Sequence, residues 1–517
     1  MERIYSPSNN LLEGIQNLLP LEICPWDDYY MRMAQTDFLL KRQTKKASKT
    51  FFIRKAPFGG SYALLGGITA FYRTIQDFEF DDIVQFALAD QSYKPEFIEY
   101  CKLRKKISVN IFSPFEGSVF CPNESVIILE GDLFDIRIAE GILLKNVNFA
   151  TLSLTKWRRV VEAAAPGRVL EFSRRRAQDD IRTSIYAHLA GCHYTSNAEV
   201  RRGLNIKVVG TMGHEWIQSF GDEFESFDKW LEINPDKPVL LVDTINTLQS
   251  GLPNAIKAFK KHWEKIKTAG GIPGIRNDSG DLAFLTIEER IKLDANDLFD
   301  VLIFQTNDLD EYSIEDIKEQ IYTHSRKAGI DPFNCLTRIV WACGTNPGVC
   351  SDQPSLGGVM KLTSIAENYL GHEKAVIKLA MDNPIKTSIP GNNRSAFVWN
   401  NSPLRSLPGD SELLCCLNYQ KNERFSDIDV GFHQDDENKS IIFSHKDVRF
   451  EARQYYINAC ELNRTIDSVR RHIETETSRL HWTHKRLKNA HMIKVSLSEK
   501  LFQLRSDMIS NKILIER

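Results

Sequence analysis

The 517-residue chain is short of the features that would tie it to a membrane, a polyanion or an oxidising compartment. No stretch approaches the roughly 20 apolar residues of a membrane-spanning helix, so no membrane partner is expected. The opening residues, MERIYSPSNN, lack the apolar core of a secretory signal. There is no cationic surplus. Lys and Arg number 66 against 68 Asp and Glu, a net charge of -2, which argues against a nucleic-acid partner, because phosphate backbones demand excess positive charge. Ten cysteines (24, 101, 121, 192, 335, 343, 350, 415, 416 and 460) form no C-x-x-C pair. A chain this long does not depend on disulfide staples, and reduced thiols in a cytoplasmic enzyme are the simplest expectation. Zinc-type ligand sets are missing too: His481 and His484 stand near His472 with no cysteine or carboxylate framework around them. No Walker A sequence occurs, so any use of ATP is not by a P-loop.

What is present is a large apolar fraction, 42%, enough for an extensive core. At roughly 100–200 residues per domain, the length suggests about three domains or one barrel with additions. The first 165 residues mix helix and strand. Helix is predicted over 34–46 and 141–164, with β-structure over 107–140. From 166 to 394, short β-rich runs alternate with helical patterns: 168–172, 206–210, 239–243, 274–278, 301–305 and 338–342. Such alternation implies parallel strands with crossover helices. Nearly every run ends in polar or glycine-rich residues. A parallel α/β barrel gathers all its strand ends on one face, whereas a doubly wound sheet concentrates function at one switch point. Six functional-looking ends favour the barrel. Residues 395–517 read as an accessory region, with a charged, turn-rich stretch over 427–446 and long helical patterns over 449–487.

Several strand ends carry chemistry. Gly210-Thr211-Met212-Gly213-His214 follows a strand and opens a helix, where free backbone N–H groups attract phosphate and a neutral imidazole can accept a phosphoryl group. The plain alternative is a polar cap or a packed histidine. Arg276-Asn277-Asp278-Ser279-Gly280-Asp281 sets a cation, two carboxylates and a hydroxyl in one turn, which suits sugar hydroxyls, phosphates and hydrated Mg²⁺. A turn closed by its own salt bridge reads equally well. Gly344-Thr345-Asn346 is a phosphate-nest candidate, weak alone. Phe172 is followed by Ser173 and then Arg174-Arg175-Arg176, which form either a solvated face or an anion clamp.

Taken in order, these motifs resemble the nicotinate phosphoribosyltransferase family. The resemblance runs from Asp27-Asp28-Tyr29 with Met33, through Arg54-Lys55-Ala56-Pro57-Phe58-Gly59-Gly60 and Leu170-Glu171-Phe172-Ser173-Arg174-Arg175-Arg176-Ala177, to Thr195-Ser196-Asn197 and Gly210-Thr211 with His214. It continues through Arg276 to Asp281, Gly344-Thr345-Asn346, the run 353–362, Lys386 to Gly391, and 487–498. It implies an incomplete parallel α/β barrel with an N-terminal mixed α+β domain and a helical C-terminal extension, acting as a homodimer in NAD salvage. It implies nicotinate, phosphoribosyl pyrophosphate and the co-substrate ATP as partners, with Mg²⁺ as cofactor. By the same resemblance His214 is the phosphohistidine and Asp278 a catalytic carboxylate. Tyr29 stacks on nicotinate, with Phe172 a second face. Arg175, Thr211 and Arg276 contact the ring and its substituent, and Gly344 and Thr345 the phosphoribosyl group. Ser279 and Asp281 complete the sugar and phosphate contacts. Amide-using relatives carry a carboxylate where this chain has Ser196, so nicotinate is favoured over nicotinamide. A nicotinamide phosphoribosyltransferase and a catalytically silent ligand-binding homologue are the competing expectations. The chain departs from the family's usual residues at Ser173, Tyr194 and Asn277, and after Gly391.

Overall fold

Val, Ile and Leu alternate through the central strands, and the two faces of the sheet they form bury different partners. In the computed structural model, Leu170, Val239, Phe304, Val340 and Ala342 pack together. Leu240, Ile275 and Ile303 turn the other way, into an apolar cluster shared with the covering helices. Near-continuous apolar runs whose successive side chains enter two different clusters are the signature of strands buried on both faces. Each fully buried Leu, Ile or Phe contributes about 1.5–3 kcal/mol. The structure describes residues 26–200, 206–366, 373–383, 386–401, 412–434, 436–457 and 464–515. The expectations placed on the N-terminus and on Cys24 and Cys460 fall outside them.

The sheet runs Tyr194–Thr195, Arg168–Glu171, Ile339–Cys343, Leu302–Gln305, Gly274–Asn277, Val239–Leu241. Every neighbouring pair is parallel. Helices Asp180–Ala190, Glu223–Ile233, Leu252–Thr268, Leu282–Asp294 and Glu311–Lys327 follow successive segments. Among the described residues the two edge strands do not pair, so the barrel is open. Five of the six expected strands form. The sixth, 206–210, does not: only Val208 bridges to Thr195, and the short Tyr194–Thr195 strand takes the edge position.

The N-terminal part is a second, antiparallel sheet. Lys46–Phe52 pairs with Ile127–Asp132 on one side and Val359–Ala366 on the other. Val109–Ser113 follows, and Glu373–Ala375 and Tyr455–Tyr456 are its edges. Segments from beyond the barrel strands thus complete this sheet. The helix expected at 34–46 lies instead at Asp28–Leu39, because Lys41 adopts a left-handed φ of 54° and turns the chain into the strand at Lys46. The helix expected from 141 begins at Leu133 and runs to Ala164. Residues 133–140, read as β, form its first turns.

That long helix joins the two units. Lys156 meets Glu311 at 2.7 Å and Asp352 at 2.9 Å, and Arg159 meets Glu311 at 2.9 Å. Glu311 is fully buried, so this ion cluster is shielded from water.

The C-terminal region holds helices Ile466–Ser478 and Glu499–Ile515, and also a six-stranded mixed sheet that the sequence pattern does not reveal. The stretch 449–487, expected to be long helix, starts as strand Val448–Ala452 paired with Asn393–Asn400. Apolar residues at 448, 450 and 452 give that segment a period of two, which overrides its helical composition. Among the described residues no helix is long and apolar enough to cross a membrane. The eight described cysteines are buried and free.

Candidate functional site

Parallel strands put their carboxyl ends on one face. Phe172, Asp243, Asp278, Thr306 and Gly344 lie at or just past five of those ends. The densest group surrounds Asp278. Arg276 Nη2 donates to Asp278 Oδ2 at 3.0 Å, and the Thr306 hydroxyl donates to Oδ1. Arg276 Nη1 donates to Thr211 Oγ1 at 2.9 Å, and its guanidinium carbon lies 5.8 Å from the centre of the Phe172 ring. Strand alternation turns Arg276 and Asp278 to one side and Asn277 to the other. Burial opposes charge on Asp278. The hydrogen bond from Thr306, the Arg276 guanidinium and His214 outweigh it and hold the carboxyl below its ordinary value. Asp278 is therefore an anion at neutral pH.

His214 opens the helix His214–Phe220 directly after Gly213, as the sequence pattern suggested. Its Nδ1 lies 3.0 Å from Thr244 Oγ1. Its Nε2 faces two carboxylates, Asp243 Oδ1 at 3.8 Å and Asp278 Oδ2 at 3.9 Å. Two anions beside one ring nitrogen favour the tautomer protonated there, leaving the lone pair on Nδ1. Asp243 is 3% exposed at its side chain. Its Oδ2 accepts the Asp278 backbone N–H at 3.0 Å and the Ser279 hydroxyl at 2.5 Å. Its Oδ1 is buried without a hydrogen-bond donor among the described residues.

A second group forms around Glu171, which is fully buried. Its carboxylate accepts from the backbone and hydroxyl of Ser173, both at 2.5 Å, from Ser184 at 2.8 Å, and from Thr195. This fixes the turn bearing the three arginines. Arg176 donates to Thr345 Oγ1 at 2.9 Å and Arg174 to Asn197 Oδ1 at 2.7 Å. Arg175 between them is exposed. Ser196 follows the Tyr194–Thr195 strand, with its N–H donating to the Glu171 carbonyl at 2.9 Å. Gly344 sits so close to the neighbouring strand end that an added Cβ would lie 3.3 Å from the Phe172 carbonyl oxygen. Asn307 and Asp308 take φ values of 121° and 45°, and Asn346 holds the Asp308 carbonyl at 2.6 Å. Such strained turns cluster where a ligand is gripped.

The structure thus brings together Phe172, Thr211, His214, Arg276, Asp278 and Ser279, and places Thr345 beside Arg176. Asp281, exposed at the same turn, has a part in the fold. Its carboxylate caps the helix Leu282–Asp294 by accepting the Phe284 N–H at 3.0 Å. Tyr29 is not brought to the group. It lies on the Asp28–Leu39 helix, 51% exposed, its ring 4.1 Å from that of Tyr30. Asp243, Thr244 and Thr306 make site contacts that the sequence pattern alone does not assign. A signal for Asp243 exists: like Asp278, it is an aspartate ending an apolar strand.

Residues 420–505 match the family described as the nicotinate phosphoribosyltransferase C-terminal domain. A nicotinate phosphoribosyltransferase of Bacillus subtilis (strain 168) is 34% identical over 380 residues, 73% of this chain and 73% of that protein. One from Dictyostelium discoideum is 26% identical over 538 residues, 92% of this chain and 86% of the relative. The crystal structure of human nicotinic acid phosphoribosyltransferase superposes with a TM-score of 0.72 at 22% identity, covering 93% of this chain and all of that one, a likeness of fold. The fold, the ordered strand-end motifs and the identity to the Bacillus protein agree, and this chain belongs to the nicotinate phosphoribosyltransferase family.

Proposed function

We propose that the protein makes nicotinate mononucleotide from nicotinate and phosphoribosyl pyrophosphate, in NAD salvage, with ATP hydrolysis coupled through phosphorylated His214. The observation that carries this reading is the convergence at the barrel's strand ends of the Arg276–Asp278 ion pair, at 3.0 Å, with His214, whose Nε2 lies 3.9 Å from the same carboxylate. Family membership supplies the reaction class.

The chemistry follows from the charges. The pyridine nitrogen of nicotinate attacks the anomeric carbon of phosphoribosyl pyrophosphate as the C–O bond to pyrophosphate breaks. The ribosyl group passes through a cationic transition state, which the nearby carboxylate of Asp278 stabilises. Arg276, near the Phe172 ring and forked between Thr211 and Asp278, offers its guanidinium to the carboxylate of nicotinate. Nδ1 of His214 takes the γ-phosphoryl group of ATP, while Asp243 and Asp278 hold the proton on Nε2 and offset the imidazolium charge. Release of that phosphoryl group to water draws the equilibrium toward the mononucleotide.

Among the described residues no group of three or more His, Cys, Asp or Glu side chains is arranged to hold a metal ion. Mg²⁺ entering with the pyrophosphate and ATP would neutralise the leaving group. The stacking role expected of Tyr29 fits a homodimer, in which a second copy presents this half-exposed ring to the strand-end face.

The test is product formation by purified protein given nicotinate or nicotinamide in parallel, with and without ATP. Mononucleotide from nicotinate, with phosphate released in step, supports the reading. In γ-labelled ATP, wild type acquires an acid-labile, base-stable label and His214→Ala does not. Equal labelling of the variant removes the phosphohistidine assignment, and preference for nicotinamide removes the substrate assignment.

A further inference from the structure

Behind the strand that carries Arg276 and Asp278 lies an acidic side chain with no part in the reaction above. Glu289 sits on the helix Leu282–Asp294 and is fully buried. Its Oε2 accepts the Asn277 side-chain N–H at 2.9 Å. Its other oxygen, Oε1, has no donor among the described residues, and neither has the side-chain oxygen of Asn277. Two buried acceptors left empty on a pair of hydrogen-bonded side chains are costly, about 1–3 kcal/mol each.

One proton resolves both. On Oε1 it converts Glu289 to a carboxylic acid whose O–H donates to Asn277 Oδ1, while Asn277 Nδ2 continues to donate to Oε2. The two side chains then form a reciprocal acid–amide pair. Asn277 lies between Arg276 and Asp278 in the strand, and the Thr306 backbone N–H donates to its carbonyl at 2.9 Å. Fixing Asn277 from behind therefore fixes the two site residues in front.

We propose that Glu289 is a positioning residue for the phosphoribosyl-transfer site, acting in its protonated form by clamping Asn277 and so setting Arg276 and Asp278. The surroundings keep the proton in place. Burial pushes the carboxyl up, and the nearby Asp243 anion pushes the same way. The Asn277 hydrogen bond and Arg290 oppose them, and the balance lies at about 8. Asp243 on the neighbouring strand end and Arg290 on the same helix are the charged groups acting on it. Arg290 is itself spent on the carbonyls of Leu298 and Val301, each at 2.8 Å, and on Asp294. Gln305, from the next strand, is held by Thr286 at 2.7 Å. Loss of the proton would leave Asn277 Oδ1 without a donor and set a second anion near Asp243.

The catalytic arm of the test rests on the function proposed above, and the spectroscopic arm does not. Glutamine preserves the pair, because its amide N–H replaces the acid O–H, and it cannot ionise. Leucine removes the pair. In full-length protein, kcat/KM for nicotinate is measured from about pH 6 to 10 in wild type, Glu289→Gln and Glu289→Leu. Wild type is expected to lose activity above about pH 8 with a one-proton slope, about tenfold per pH unit. Glu289→Leu loses activity at pH 7, Glu289→Gln recovers most of it, and the glutamine variant lacks the alkaline fall. An alkaline limb identical in wild type and Glu289→Gln overturns the proposal. Separately, an infrared difference spectrum of substrate-free protein between about pH 7 and 9 should lose a protonated-carboxyl C=O band in wild type and not in Glu289→Gln. If at pH 7 wild type shows no protonated-carboxyl C=O band that Glu289→Gln lacks, Glu289 is already ionised, and the proposal is overturned whatever the reaction proves to be.

Discussion

The carboxylate of Asp243 accepts the backbone N–H of Asp278 at 3.0 Å, tying the end of one barrel strand to the end of the next. The same residue faces His214 with an oxygen that no donor among the described residues satisfies. It therefore does two jobs: it fixes the Asp278 turn and biases the imidazole toward an Nε2 proton. Asp243→Asn retains an acceptor for the turn but removes the charge. Labelling of His214 by γ-labelled ATP is expected to slow by about two to four orders of magnitude, the usual worth of a correctly held acid–base group. The fold should survive, checked by an unchanged thermal midpoint. A labelling rate equal to wild type would show that the Asp243 charge does not act on His214.

Arg276 makes contacts that a lysine cannot reproduce. Its fork spans Thr211 at 2.9 Å and Asp278 at 3.0 Å, with the guanidinium carbon 5.8 Å from the centre of the Phe172 ring. A lysine keeps the charge and loses the planar fork that reaches both partners. Arg276→Lys should cost about 1.5–3 kcal/mol of transition-state binding, read as kcat/KM for nicotinate. Catalytic efficiency that stays at the wild-type level would sink the role given to the guanidinium.

The buried cluster joining the long helix to the barrel sets stability, not chemistry. Glu311 is the shared partner of Lys156 and Arg159, and all three are largely buried. Glu311→Leu would leave buried Arg159 without a carboxylate and Lys156 with Asp352 alone, so it should destabilise by about 3–5 kcal/mol in a urea melt. Loss of under about 1 kcal/mol, the level of an exposed pair, would mean that water reaches the cluster.

Much of this site is legible in the sequence because each barrel strand is a short apolar run closed by polar residues, and parallel strands must expose those closures together. Arg276 and Asp278 are found that way, while Thr211 and His214 follow the run 206–210, which holds only the single bridge at Val208. Asp243 stands out only as one of the polar strand ends, because Asp-Thr by itself points to no particular ligand or role. Glu289 cannot be found, since it sits in the run Glu288-Glu289-Arg290, which reads as a solvated helix face. Its burial depends on which helix face meets the sheet. The missing strand at 206–210 has a similar cause: an apolar run shows capacity to pair, not which neighbour takes the edge.

Glu289 also makes stability depend on pH. Its ordinary value is 4.5, and in the native protein it rises to about 8, chiefly through burial. Below pH 4.5 both folded and unfolded chains hold the proton. Between the two values only the folded chain does, so stability falls as pH rises through that window. At about 1.4 kcal/mol per pH unit, the cost reaches about 3 kcal/mol by pH 7. Glu289→Gln carries no such penalty. Urea melts should find it more stable than wild type at pH 7, with the gap closing toward pH 4.5. A gap that does not change with pH would contradict the raised value.

The choice between acid and amide substrates turns on Ser196. It lies just past the Tyr194–Thr195 strand, which pairs with Leu170–Glu171, and so at the Phe172 end of the neighbouring strand. Ser196 carries no charge, and the adjacent guanidinium of Arg174 is engaged with Asn197 at 2.7 Å and Asp180 at 3.6 Å. A carboxylate at 196 would face the carboxylate of nicotinate. Two unit charges about 4 Å apart at an effective dielectric near 20 repel by roughly 4 kcal/mol. A neutral hydrogen bond contributes only about 1 kcal/mol net, so repulsion decides the outcome. Ser196→Asp should lower kcat/KM for nicotinate by orders of magnitude, at about tenfold per 1.4 kcal/mol. Nicotinamide would gain relative to nicotinate even if its absolute rate stays low, because Arg276 still favours an anion. The quantity to measure is the ratio of the two efficiencies in wild type and variant. If that ratio does not move toward nicotinamide, Ser196 does not face the ring substituent, and acid preference must come from Arg276 and the arginine turn instead.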